Sequence, residues 1–345
     1  MAENEQRPDG NVGGISRRRF LGTAAAATAG IIAMPGCGAT TGVAPAIITR
    51  PGSSRFGGVQ IGTISYSFRS MPGGAEQILS YLVDSGLSSV ELMGDPILAY
   101  AGAPTSDAPS RGQIARMTDP AEREAAERAR AAHDEEMRRW RASPPMEKFQ
   151  SLRSMYGNEG VTIHLAKFSP GGDPDAAEFA FRAARALGAT SVTNEIGEDA
   201  ARVMGAAAAR HGMKAAFHNH GQPSDPNFAG FDHFLALSPA NSLNLDFGHY
   251  YGFTGKSPVP EIRRLHDRIT SMHMKDKATP TVAGESGANM PWGQGNTPIA
   301  EVLRLVQREG YPINCDIELE YPIPEGSNAV AEVRKCAEFC REILT

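Results

Sequence analysis

From Val59 onward the chain repeats one pattern eight times: a short β-rich run, then a segment with helical spacing of its apolar residues. The runs are Val59–Phe68, Ser88–Met93, Val161–Phe168, Thr190–Ile196, Lys214–His220, Ser242–Phe247, Ile269–Lys275 and Pro312–Glu320. Helical segments follow near Ala75–Ser85, Met146–Tyr156, Pro174–Leu187, Asp199–His211, Asp232–Leu237, Pro260–Leu265, Pro298–Arg308 and Ala329–Leu344. Strands alternating with helices read as parallel βαβ units, because a parallel neighbour needs a long crossover. Eight such units with no interrupting second domain predict a closed (β/α)8 barrel over residues 59–345. A doubly wound open sheet is the competing fold, but no Gly-rich dinucleotide fingerprint follows the first strand.

The composition is compatible with one large core: 41% hydrophobic and 21% charged, far from a disordered chain. A net charge of −5 argues against a nucleic-acid partner, whose footprint is a basic surface. A small neutral or metal-bridged ligand fits better. Four cysteines are too few for a disulfide scaffold, and their spacing matches no zinc ribbon. Cys336 and Cys340 lie one helical turn apart, where a bridge is rarely possible, and Cys315 falls in an apolar strand.

Ahead of the repeats, Ser16-Arg17-Arg18-Arg19-Phe20-Leu21 precedes a short apolar stretch from Leu21 to Met34. Basic residues, then a short apolar run, then small residues make an export signal, too short for a membrane span. The paired arginines followed by Phe-Leu resemble the twin-arginine signal, whose receptor reads Arg17 and Arg18. Residues 1–37 are therefore expected to direct the protein to the periplasm. Met34-Pro35-Gly36-Cys37 loosely resembles a lipoprotein processing site, with a lipid anchor at Cys37 as the minor alternative. Residues 38–58, rich in Gly, Pro, Ser and Thr, read as a flexible linker.

One insertion interrupts the repeats, at residues 95–143 between the second strand and its helix. Asp119-Pro120 is a helix start, and Glu124–Arg128, Asp134–Arg138 and Glu135–Arg139 are spaced for surface pairs along it. It is either a solvated helix or a lid, since it springs from the end of the barrel where reactive residues lie.

Those strand ends carry the chemistry. His164 lies on strand three, and strand four ends Thr193-Asn194-Glu195. The next four ends are Phe217-His218-Asn219-His220, Asp246-Phe247-Gly248-His249-Tyr250, His273-Met274-Lys275-Asp276 and Asp316-Ile317-Glu318-Leu319-Glu320. A lone strand histidine is usually structural, and Glu320 alone reads as a solvent-facing side chain. Acids and imidazoles converging at one pole are different, because buried charges are costly unless paired or bound to metal. Mixed imidazole and carboxylate donors suit Mn²⁺, Zn²⁺, Co²⁺ or Fe²⁺ better than Ca²⁺, with Mg²⁺ still possible.

The segments Ile61-Gly62-Thr63-Ile64-Ser65-Tyr66-Ser67, Ser89-Val90-Glu91-Leu92, His218-Asn219-His220, Asp246-Phe247-Gly248-His249, His273-Met274-Lys275-Asp276 and Ile317-Glu318-Leu319-Glu320 resemble the xylose-isomerase-like TIM-barrel superfamily, whose members are commonly labelled sugar phosphate isomerases/epimerases. The resemblance runs the length of the barrel, in order. It implies one divalent metal ion held by Glu, Asp, His and Glu from successive strands. Asp246, His273 and Glu318 match the last three, whereas strand five offers His218 where the first Glu is expected. Either His218 substitutes, or Glu195 reaches in from strand four; the expected ligand set is Glu195, Asp246, His273 and Glu318.

The activity implied is metal-assisted removal of the proton beside a sugar carbonyl, leading to isomerisation or epimerisation. His164, His218 and Lys275 are the expected proton-transfer groups, with pairing to Asp276 as an alternative role for Lys275. His220 and His249 are expected to orient substrate hydroxyls, and Trp292, flanked by Gly293, to face a sugar ring or plug the barrel mouth. Exported relatives include lyases and hydratases acting on 3-keto-glycosides, a second reading with the same early chemistry. A metal- or sugar-binding module without catalysis is the third.

Overall fold

The computed structural model describes residues 53–345, so the expected export signal, Cys37 and most of the expected linker lie outside the described residues. Eight parallel strands form the barrel: β1 (Val59–Ile64), β2 (Ser89–Met93), β3 (Thr162–Lys167), β4 (Ser191–Glu195), β5 (Lys214–His218), β6 (Asn241–Asp246), β7 (Ile269–Met274) and β8 (Asn314–Ile317). Each neighbours the next, and β8 pairs with β1 through Cys315↔Ile61, Asp316↔Gly62 and Ile317↔Thr63, closing the ring. The predicted (β/α)8 barrel is the fold observed. Its principal helices are α1 (Ala75–Asp84), α2 (Met146–Asn158), α3 (Pro174–Leu187), α4 (Glu198–His211), α5 (Phe231–Ala236), α6 (Val259–Leu265), α7 (Ile299–Glu309) and α8 (Ala329–Leu344).

Local chemistry sets these boundaries. Asp173 caps α3 by accepting hydrogen bonds from the Asp175 and Ala176 amides, and Pro174 takes the first turn, where no amide donor is needed. Gly188 ends the helix at φ 80°, a left-handed conformation that side chains resist. The face of α3 carrying Ala177, Ala180, Phe181 and Ala184 is fully buried. Small alanines let the helix approach the sheet closely, and Phe179 extends the contact sideways to Phe149 and Trp140.

Three boundaries depart from expectation. The first strand stops at Ile64, and Ser65–Phe68 turn into a 3-10 helix, because Thr63 and Ser67 hydroxyls donate to the Ile317 carbonyl and pull the chain across β8. Folded structure begins before Val59: Ser54 is buried and its hydroxyl donates to the Ile61 carbonyl, so residues 54–58 belong to the barrel floor rather than to a linker. A helix, Phe247–Thr254, follows β6 directly where a loop was expected, capped by Asp246, whose carboxylate accepts from the His249 amide.

The insertion between β2 and α2 folds as three helices, Gly94–Tyr100, Arg111–Ala115 and Pro120–Ala142. Asp119 caps the last by accepting from the Ala121 and Glu122 amides. Of the expected surface pairs, Glu124–Arg128 and Glu135–Arg139 form, whereas Asp134 pairs with Arg130 and Arg138 turns to Glu135. The C-terminal part of this helix packs on α3, with Trp140 edge-on to Phe179 and the Arg182 guanidinium donating to the Arg141 carbonyl. Among the described residues no helix is long and apolar enough to cross a membrane.

Candidate metal centre

Parallel registry brings the site together. Asp246 at the end of β6 lies beside His273 on β7, Glu195 ends β4 beside His218 on β5, and Glu318 follows the last residue of β8. His218, Asp246, His273 and Glu318 are all at most 5% exposed, and each offers one atom within 4.8 Å of the others. His218 Nε2, Asp246 Oδ2, His273 Nδ1 and Glu318 Oε2 are all buried, and their polar neighbours are one another and the Lys275 ammonium. Buried charged groups are costly unless paired or bound to metal. Four such atoms aimed at one another, two imidazole nitrogens and two carboxylate oxygens, form a donor set that fits a divalent transition ion.

Each imidazole is held by a carboxylate on its far side. His218 Nδ1 lies 3.1 Å from Glu195 Oε2, which places its proton there and turns the Nε2 lone pair to the cluster. His273 Nε2 lies 2.7 Å from Glu91 Oε2, which leaves Nδ1 for the cluster. Carboxylate, imidazole and metal in line is the usual way a ligating histidine is oriented. Glu195 is thus the partner of His218 outside the four-residue cluster, and with His218 and His220 it forms a second group of possible ligands within 4.8 Å of one another. It also receives the Lys167 ammonium at 2.9 Å and His220 Nδ1 at 3.0 Å.

Glu91 and Asn244, absent from the sequence-derived site, complete this scaffold. The β2–β3 register shifts between Val90 and Glu91, and the β6–β7 register shifts between Leu243 and Asn244. Such irregularities re-aim side chains next to reactive sites. Here they bring Asn244 Nδ2 to donate to Glu91 Oε2 at 2.8 Å, both side chains fully buried. A glutamate inside the apolar run Val90-Glu91-Leu92 was the signal available in the sequence.

Lys275 lies at the heart of the charge balance. Its Nζ is 2.8 Å from Asp246 Oδ2, 2.9 Å from Glu318 Oε2, 3.1 Å from Glu320 Oε2 and 2.9 Å from His249 Nε2. Burial lowers the pKa of this lysine, but Asp246, Glu318 and Glu320 outweigh it, so the ammonium stays protonated. Burial likewise pushes Asp246 and Glu318 up, and Lys275 with the neighbouring imidazoles brings both well below the usual carboxylate range. His273 is held above its ordinary value, burial being outweighed by Glu91 and Glu318, so cation binding there displaces a proton. Burial takes His249 down to about 3, leaving it neutral and able to accept from Lys275. His220 is the exposed member of the group, its side chain 48% accessible, and the hydrogen bond to Glu195 raises its pKa.

Three expected roles shift with these positions. His164, expected as a proton-transfer group at the metal, sits on the barrel floor, where Nδ1 meets Ser89 Oγ and Nε2 meets Asp316 Oδ2, both at 2.9 Å. It belongs to the middle of β3, below the strand end, so its ring fills the interior layer instead of the mouth. Asp276 is not the partner of Lys275: its carboxylate accepts the amides of Gly293, Gly295 and Thr297 and fixes the loop carrying Trp292. Trp292 itself packs edge-on to Phe339 of α8.

The sequence matches the family model of the xylose isomerase-like TIM barrel over residues 124–343. No curated protein matches it. Among solved structures, the barrel resembles the probable 3-DHS dehydratase AsbF of Bacillus anthracis at 15% identity, covering 81% of this chain and 98% of that one, with a TM-score of 0.53. A sugar phosphate isomerase/epimerase from Parabacteroides distasonis is 15% identical over 84% of this chain and 96% of its own, with a TM-score of 0.51. The IOLI protein with a bound zinc atom is 10% identical over 83% and 98%, with a TM-score of 0.54. At these identities the likeness is one of fold. The family model covers well over half of the chain, which therefore belongs to the xylose isomerase-like TIM barrel family.

Proposed function

We propose that the chain is a divalent-metal-dependent carbohydrate enzyme of the isomerase/epimerase type, acting on a small keto-sugar. The observation that carries this reading is the convergence of four buried donor atoms, on His218, Asp246, His273 and Glu318, within 4.8 Å of one another. The bound ion would supply Lewis-acid polarisation of a carbonyl and its neighbouring hydroxyl. Its identity among Mn, Zn, Co and Mg is left to measurement.

The chain's own residues divide the remaining work. Lys275, protonated throughout the physiological range, is a hydrogen-bond donor to a substrate oxygen and a poor base. His218 turns its free nitrogen to the cluster, which leaves it no proton-accepting atom for substrate. His220 has the accessibility, and Glu195 holds its Nδ1, so its Nε2 is the candidate acceptor for the proton beside the carbonyl. His249, neutral and seated against Lys275, orients that ammonium. The Lys275 ammonium also fits a second reading, elimination from a 3-keto-glycoside, in which it would hydrogen-bond the departing oxygen.

Elemental analysis of the purified protein, followed by incubation with free ketoses and 3-keto-glucosides in D2O under NMR, tests both readings. About one divalent ion per chain and deuterium at the carbon beside the carbonyl are expected. A released aglycone would select the lyase. A full metal load in both Asp246→Ala and His273→Ala overturns the site, and turnover without solvent exchange in metal-loaded protein overturns the proton-transfer chemistry.

A further inference from the structure

Apart from the metal-ligand cluster, a pocket of about 700 Å3 lies between the insertion helix Pro120–Ala142 and the end of β3. Its lining includes Arg130, Arg138 and Arg141 from the helix, and Phe168, Ser169 and Phe179 opposite. None of the four clustered metal-ligand candidates borders it. The volume suits a small organic ligand.

The charges lining the pocket are committed, with one exception. Asp134 lies 3.0 Å from Arg130, Glu135 takes Arg138 and Arg139, and Asp173 caps α3. Among the described residues the Arg141 guanidinium makes no hydrogen bond, its Nε is buried without a partner, and Asp173 and Asp134 act on it only as nearby charges. The group lies over the Phe179 ring, 5.9 Å from its centroid. An arginine cannot relieve burial by losing its proton, so a half-buried unbonded guanidinium calls for an anion. Ser169, on the facing wall, is held at φ 49°, the one described non-glycine residue in the left-handed region. That conformation costs about 1–2 kcal/mol, and such strain gathers at ligand sites.

We propose that this pocket binds a small organic monoanion, a carboxylate carried on a flat apolar body. The carboxylate takes the Arg141 fork in bidentate fashion, and the body lies against Phe168 and Phe179. A single charge fits because one guanidinium is hydrogen-bonded to no acid, while Asp134, Glu135 and Asp173 along the wall repel a second negative charge. An aryl carboxylate therefore suits the site better than a phosphate dianion. The pocket wall continues directly from Lys167, which grips Glu195 behind His218, so both sites are built on the end of β3.

The test is titration of the full chain with benzoate and, separately, inorganic phosphate, by calorimetry and tryptophan emission. Trp140, 5.5 Å from Phe179, is placed to report occupancy. Saturable benzoate binding, tighter than phosphate and unchanged by chelator, is expected. Arg141→Gln should weaken it roughly ten- to hundred-fold, and Arg128→Gln, the same charge change elsewhere on the helix, should leave it intact. Ala131→Glu sets a carboxylate into the lining from an exposed helix position and should abolish binding with the fold unchanged. No saturable benzoate binding, phosphate preference, loss on chelation, equal loss in Arg128→Gln, or full binding in either Arg141→Gln or Ala131→Glu overturns the proposal.

Discussion

Glu91 and Glu195 show what single residues do at this centre from behind the imidazoles. Each places the proton on the far nitrogen of an imidazole and so decides which nitrogen faces the cluster. Glu91→Gln keeps the shape but removes the charge that holds His273. Metal affinity should fall about 10–100-fold by calorimetry, with the circular dichroism spectrum unchanged. An affinity equal to the parent protein would mean that Glu91 only fills space. His249 carries a second prediction. Burial lowers its folded pKa to about 3 against an ordinary value of 6.5, so the unfolded chain binds the proton more readily. Stability from this group is present above pH 6.5 and is lost as pH falls toward 3. The slope of unfolding free energy against pH between about 6 and 4 should be smaller in His249→Gln by close to one proton. An identical slope in the two proteins would count against a buried neutral His249.

At the scale of elements, the helix Phe247–Thr254 makes the site possible by crossing close over β7. A Cβ on Gly248 would lie 2.2 Å from Lys275 Cγ and 2.7 Å from the Lys275 carbonyl oxygen. Gly248→Ala must therefore push the helix away or displace the lysine. The expected cost is about 1–3 kcal/mol by denaturant titration, accompanied by weaker metal binding, since Asp246 caps the same helix. A stable variant with unaltered metal affinity would show that the approach is looser than drawn. The sequence around this element predicted a strand end and nothing helical, because Phe247-Gly248-His249-Tyr250 has weak helix propensity and two aromatic side chains. The cap on Asp246 and the packing against β7 overrode it. The insertion is the opposite case, where Asp119-Pro120 and the regular charge spacing made the helix legible, although which acid paired with which arginine was settled by side-chain reach.

At the scale of the whole molecule, the barrel isolates its thiols. Cys315, Cys336 and Cys340 are free and buried between β8 and α8, and burial pushes the Cys336 thiol up to about 12 and raises the other two as well. A thiol reagent at pH 8 should label none of the three in native protein and all three in denaturant, as counted by mass spectrometry. Native labelling at any of them would show the α8 contact opening. The Arg17-Arg18 pair supports the proposal of export, with lipid at Cys37 the lesser alternative. Replacing Arg17 and Arg18 together by Lys should hold the protein in the cytoplasm on fractionation, because a receptor reads the guanidinium and not charge alone. Normal export of that variant would remove the twin-arginine reading.

Eight strand–helix repeats were legible because periodicity is local: apolar spacing of two or of three to four is written residue by residue, and eight units close in only a few ways. The acids and imidazoles at the strand ends were legible for the same reason, since the fold class alone says that those ends meet. Their division of labour was not. His218 and Glu195 differ by which one stands inside a cluster, His164 and His218 differ by their height along the barrel axis, and Glu91 matters only because two register shifts swing it onto His273 across the interior. Height, register and hydrogen-bond direction arise from contacts between residues far apart in the chain, 182 positions for Glu91 and His273 and 254 for Thr63 and Ile317. No pattern within a single strand encodes those contacts, and only the closed barrel brings them into being.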